Sequence, residues 1–155
     1  VRFNKLRRPR RDMILVAAAG PAANILLALV SAALLHVFFL AWELPSPYVE
    51  TWSPTAQWIY ANLENSLLLN LLLAVFNMLP LLPLDGGRIA VGVLPRALGL
   101  PLARLERYGI LILLGLLVLP YVARRLGFDL NPLGWILRPT VDVLSSVILT
   151  LVGLR

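Results

Sequence analysis

From Met13 to Trp42 the chain runs thirty residues without a charged side chain, and that run decides which folds are open to it. About 20 apolar residues suffice to cross the hydrocarbon core of a bilayer as a helix, whereas a helix on the surface of a soluble domain keeps one face polar. Two further runs behave alike: Asn65 to Leu84, closed by Asp85, and the sixteen residues between Arg107 and Arg124. A fourth apolar stretch, Leu130 to Leu154, is interrupted by Arg138-Pro139 and Asp142. It reads as a short interfacial or re-entrant piece followed by a helix from about Thr140. Only 14% of the residues are charged and 59% are hydrophobic, against about 25% and 45–50% in soluble domains, so a water-soluble class is excluded. There is no internal repeat and no strand-type alternation. The fold expected is all-α: one membrane domain over residues 1–155, a polytopic transmembrane helix bundle of about four spans at 13–42, 65–84, 108–123 and about 140–154.

The charges orient that bundle. Residues 1–12 carry Arg2, Lys5, Arg7, Arg8, Arg10 and Arg11 against Asp12, a net +5, while residues 43–65 hold Glu43, Glu50 and Glu64 with no lysine or arginine. Residues 85–107 are again basic, at +2. Positive-inside bias places the basic N-terminal segment and the 85–107 loop in the cytoplasm, and 43–64 becomes an outward loop. Trp42, Tyr48, Trp52, Trp58 and Tyr60 cluster there, as aromatic anchors at a membrane interface do. The chain is therefore expected in a cell inner or plasma membrane with lipid as its surroundings. The basic run serves orientation and not nucleic acid. A signal peptide is the other use for such a run, but the apolar stretch behind it is about twice the usual 7–15 residues. No cysteine is present, which excludes disulfides, cysteine zinc sites and thiol catalysis.

Chemistry in such a chain falls to polar groups kept at membrane depth, where an ionisable residue is a functional candidate by default. Asp85 stands out. It follows Asn77-Met-Leu-Pro80-Leu-Leu-Pro83-Leu and precedes Gly86-Gly87. Pro80 and Pro83 each lack an amide donor, so the helix is expected to break before Asp85, with Asn77 hydrogen-bonded to the loosened backbone. Gly86 and Gly87 permit positive φ or close backbone approach. The alternative use of Leu-Asp-Gly-Gly is a plain solvated turn at the cytoplasmic interface. A second break signal is Gly20-Pro21.

The segment from Asn77 to Gly87 resembles the Asn-Pro-Asp-Gly motif of the site-2 protease family of intramembrane zinc metalloproteases. Met13 to Asn24, MILVAAAGPAAN, is similar to that family's Ala-Gly-Pro-x-x-Asn segment, and the preceding Arg-Pro-Arg-Arg-Asp is typical of its shorter members. The two motifs occur in the family's order on adjacent spans, and the likeness covers about residues 1–125. It implies that Asp85 is the third ligand of one zinc ion, that Asn77 lines the groove for a membrane-spanning protein substrate, and that Asn24 steadies the packing of the spans. Pro80, Pro83, Gly86 and Gly87 would shape the site. One departure is Leu82, where members commonly have proline. The 43–64 loop is also too short for the PDZ-type domain that some members carry.

The resemblance stops at the other two ligands. Family members draw them from an HExxH helix, whose glutamate is the general base, and this chain has no HExxH. Its single histidine, His36, has neither a neighbouring glutamate nor a second histidine four residues away. One aspartate neither holds zinc firmly nor activates water, so no catalytic residue is expected within these 155 residues and the chain alone is expected to be inactive. The expectation is a C-terminal part of a site-2-type protease, the HExxH helix lying upstream of a chain that opens on Val1. A pseudoprotease acting as a membrane scaffold, or a small transporter or channel subunit using Asp85, are the alternatives.

Overall fold

The computed structural model describes residues 9–41 and 49–154, all helix and connecting turns among the described residues. Helix α1 spans Pro9–Ala41, α2 Pro54–Asn77, α3 Asp85–Val93, α4 Arg96–Arg104, α5 Glu106–Arg125 and α6 Pro132–Leu151, with one turn of 3-10 helix at Val49–Thr51. Four of these, α1, α2, α5 and α6, are long and apolar enough to cross a membrane. The helix starts follow local rules. Ser53 caps α2, its side chain accepting from the Ala56 amide, and Pro54 takes the first position, where no donor is missed. Asn131 and Pro132 repeat the device on α6, with Gly134 N donating to Asn131 Oδ1 at 2.9 Å.

The core lies where α1, α2 and α6 meet. Ala28, Ala32 and Leu35 of α1 pack on Leu67 and Leu71 of α2 and Ile148 of α6. Membrane helices gain nothing by hiding leucine from lipid, so small residues that let backbones approach are what draws them together, and Ala28 and Ala32, fully buried one turn apart, do this. Buried Ser31 adds a hydrogen bond to Ser66 across the same seam at 2.8 Å. Thr140 and Leu144 lie beside Val75 and Met78, whereas Leu149 lies beside Glu64 and Leu67, so α6 runs antiparallel to α2. Beside the α2 start, Trp52 packs with Phe38 and Ala56, and its ring meets Tyr60 edge-on at 5.4 Å. This is part of the aromatic cluster anticipated from sequence. Trp42 and Tyr48 lie outside the described residues, as does most of the basic segment 1–12.

The helices run beyond the segments read off the charges. Helix α2 begins at Pro54, so residues 54–64, which precede the expected span at 65–84, are helical. Glu64 lies inside the helix one turn from Tyr60, with which it interacts electrostatically. Helix α6 is continuous from Pro132, so Arg138, Pro139 and Asp142 fall within it and do not divide it. Gly20-Pro21 does not break α1. A lone proline forfeits one ladder bond, which neighbouring helices tolerate, and Pro101, Pro120 and Pro139 are likewise interior to helices. Pro80 and Pro83, three apart, coincide with a true break.

Candidate metal-ligand site at Asp85

Helix α2 ends at Asn77, and residues 78–84 form an irregular link held by short-range bonds. Leu79 N donates to Phe76 O, Leu81 N to Leu79 O at 2.7 Å, and Leu84 N to Leu81 O at 2.9 Å. Pro80 and Pro83, which have no amide hydrogen, occupy the positions between. The expected break is therefore present, and Asp85 is the first residue after it. Asp85 opens α3 with Leu84 as the extended N-cap, so its carboxylate stands at the helix end where unpaired amides favour negative charge.

The following glycines act through close approach. Among the described residues positive φ is confined to Gly127 and Gly153, which removes the other role considered for Gly86 and Gly87. Both are buried. A Cβ on Gly86 would strike the carbonyls of Met78 and Leu79, and one on Gly87 would stand 2.6 Å from Leu81 C and Leu82 N. Helix α3 thus folds back directly onto the link that precedes it. From α5, Gly109 closes on the Leu82 carbonyl, and a Cβ there would also lie 3.0 Å from Pro83 Cδ.

The two sequence motifs meet at this point. Gly20 of α1 faces the Asp85 carboxylate so closely that a Cβ on residue 20 would stand 2.9 Å from Oδ2 and 3.9 Å from Cγ. Any side chain at residue 20 would occupy the space the carboxylate uses. Asn24, one turn along α1, and Asn77, the last residue of α2, are half-buried, and the side chain of neither is hydrogen-bonded to a described residue. The expected bond from Asn77 to the loosened backbone is accordingly absent. Pro80 is exposed and Pro83 half-buried. Beside the link, Met13, Leu82, Arg88, Val91, Ala103 and Glu106 line a cavity of about 120 Å³.

Asp85 stands as a single candidate ligand and not as one of a set among the described residues. Among the described residues no three histidine, cysteine or acidic side chains converge. His36 is sixteen residues from Gly20 on the same helix, about 24 Å along the axis. Its Nδ1 is buried without a hydrogen bond beside Gly153, far from Asp85. The described residues therefore do not make a zinc site by themselves.

Sequence reading missed two features. Gly109 is one glycine in an apolar run, a pattern that by itself does not tell close backbone approach from simple tolerance. Glu64, read as a loop charge, instead lines a cavity of about 290 Å³ with Tyr60, Ser145 and Leu154; its spacing from Tyr60, one helical turn, was the available signal.

A family model, described as Peptidase family M50, matches residues 49–120, which takes in α2, the link, Asp85, α3, α4 and most of α5. The chain belongs to peptidase family M50. M50 is the site-2 protease family named by the sequence likeness, and the matched residues include the Asn77–Gly87 motif. Over 114 residues, 74% of the chain, the sequence is 32% identical to a Bacillus subtilis (strain 168) protein named "Putative zinc metalloprotease YwhC", of which the match covers 49%. The chain thus spans about half the length of this relative. No solved structure matches the chain.

Proposed function

We propose that this M50 chain contributes the aspartate-bearing half of a site-2-type intramembrane zinc metalloprotease that hydrolyses peptide bonds of membrane-spanning protein substrates. The observation that carries the reading is the junction of Gly20 with the Asp85 carboxylate, because it joins the two motifs at one point of the bundle. In this reading Asp85 is one metal ligand and needs two more from residues other than those described. Zinc, when bound in such a site, lowers the pKa of its water toward about 7 and so makes a nucleophile available at neutral pH.

The roles proposed for the chain's own residues follow from their placement. Asp85 holds its carboxylate at the start of α3, where the helix dipole favours the ionised form a ligand requires. Gly86, Gly87 and Gly109 clamp the link at residues 78–84, so that the carboxylate has a fixed origin. Asn77 and Asn24, half-buried and with amide groups not hydrogen-bonded to any described residue, line the approach for an extended substrate backbone, whose own donors and acceptors must be met at membrane depth. Positive-inside bias of the basic residues in 1–12 and 85–107 supports a cytoplasmic orientation for Asp85 in an inner or plasma membrane.

The test is cleavage of a single-span model substrate by the full-length gene product in lipid, with Asp85→Asn beside it and bound zinc measured in both. Loss of cleavage together with loss of zinc supports the ligand role; unchanged cleavage overturns it. A scaffold without catalysis is the second reading, favoured by the lone ligand among the described residues. It requires that the full-length protein bind no zinc and that Asp85→Asn leave its associations intact.

A further inference from the structure

Helix α6 carries two charged side chains, Arg138 and Asp142, one turn apart. In this 20-residue helix Asp142 stands about 15 Å from either end, at the middle of any span the helix makes. Both side chains are exposed, and neither is held by an ion pair or a side-chain hydrogen bond among the described residues. They border a groove of about 270 Å³ between α6 and α2, with Leu68, Leu69 and Leu72 along the α2 wall and Asn65 at its edge. A charge facing lipid at that depth is among the least favourable placements a membrane chain can make, and such charges are normally paired. Glu64 on the neighbouring turn has its partner within the chain, in Tyr60. Arg138 and Asp142 do not.

We infer that this groove is the contact surface for a second copy of the chain, with Arg138 of each copy paired to Asp142 of the other. Opposite charges one turn apart on one exposed face are self-complementary. A twofold axis along the membrane normal keeps each residue at its own depth, so Arg138 reaches across about 6 Å of rise to Asp142 of the other copy and the reverse, and two copies neutralise all four charges. The leucines around the pair exclude water, and the low dielectric strengthens the attraction. The surface is independent of any role for Asp85.

The chain has no cysteine, so Leu69→Cys introduces a single thiol into the groove. In lipid nanodiscs or native membranes this variant is expected to form an oxidative crosslinked dimer, whereas Leu26→Cys, at a 61% exposed position on α1, is not. Adding Asp142→Arg or Arg138→Asp should lower dimerisation about tenfold. Mixing those two charge variants should restore it, because one copy then offers two arginines and the other two aspartates. Restoration also shows that both variants fold. Crosslinking indifferent to charge reversal, a mixture that stays monomeric, or equal crosslinking through Leu26→Cys would each overturn the inference. So would a different membrane protein captured through Arg138 and Asp142 in place of a second copy.

Discussion

Asp85 and Asp142 are both carboxylates set in apolar stretches of the chain, and they arrive there by opposite means. Asp85 follows a break: two prolines end α2, seven residues turn back, and the carboxylate emerges at the start of a new helix against Gly20. Asp142 sits in mid-helix, its backbone wholly regular and its side chain exposed. The first is accommodated by glycines on α1 and α5, which leave room for it and for the link before it. The second is held by no ion pair or side-chain hydrogen bond among the described residues. Regular backbone fixes depth in a membrane but gives a side chain no particular partner, whereas a broken backbone spends hydrogen bonds and close contacts to place one carboxylate at one spot. That contrast is what a ligand requires and what an interface charge does not.

The sharpest way to break the contrast is to neutralise each aspartate. Asp85→Asn in the full-length protein should abolish cleavage, beyond the roughly 10–100-fold cost of merely disturbing a ligand's support, with the thermal midpoint in detergent unchanged. Asp142→Asn should leave per-molecule cleavage within about twofold, since nothing joins it to Asp85, and should act on dimerisation alone. Equal loss of activity in both would erase the distinction between them.

Next in size is the clamp. Gly109→Ala drives a methyl into the Leu82 carbonyl, and backbone cannot rotate aside as a side chain can, so destabilisation of about 3 kcal/mol is expected. Gly115→Ala, on the same helix with open space around it, should be neutral or stabilising by up to about 1 kcal/mol. Unfolding in mixed micelles reads both. A smaller and more selective effect is expected at Gly20. Its added methyl meets the end of a side chain, so Asp85 can swing away. Gly20→Ala should therefore cost less than about 1 kcal/mol of stability while weakening zinc affinity and cleavage about tenfold, as misplacing a ligand does.

How much of this was legible beforehand depends on what each residue answers to. The all-helical bundle and the break before Asp85 follow from missing charges and missing amide donors, properties that every residue carries locally. The motifs at Gly20 and Asp85 were likewise visible, but their contact was not, because 64 intervening residues must fold before the glycine and the carboxylate meet. Charge and proline mislead at Arg138-Pro139: the sequence suggests a piece apart from a helix that begins near Thr140, yet α6 is continuous from Pro132, because a single proline does not end a helix whose neighbours remain packed. Gly109 carried no local signal, since its reason lies in a carbonyl 27 residues earlier.

The smallest effect tests whether the α1–α2 seam is a scaffold common to both aspartates. Ser31 Oγ lies 2.8 Å from Ser66 Oγ and donates to Leu27 O at 2.9 Å, and Asn70 Nδ2 donates to Ser66 O at 2.8 Å. Hydrogen bonds between membrane helices contribute about 0.6 kcal/mol on average. Ser31→Ala should therefore cost about that much, and less if Asn70 turns more fully onto the freed Ser66 hydroxyl. The Ser31→Ala/Ser66→Ala pair should cost less than the sum of its singles, as two partners of one bond do. Unfolding of the singles and the double in the same micelles measures this. A double mutant that equals the sum would mean that the two serines act separately, and that the buried alanines alone hold α1 against α2 and keep Gly20 opposite Asp85.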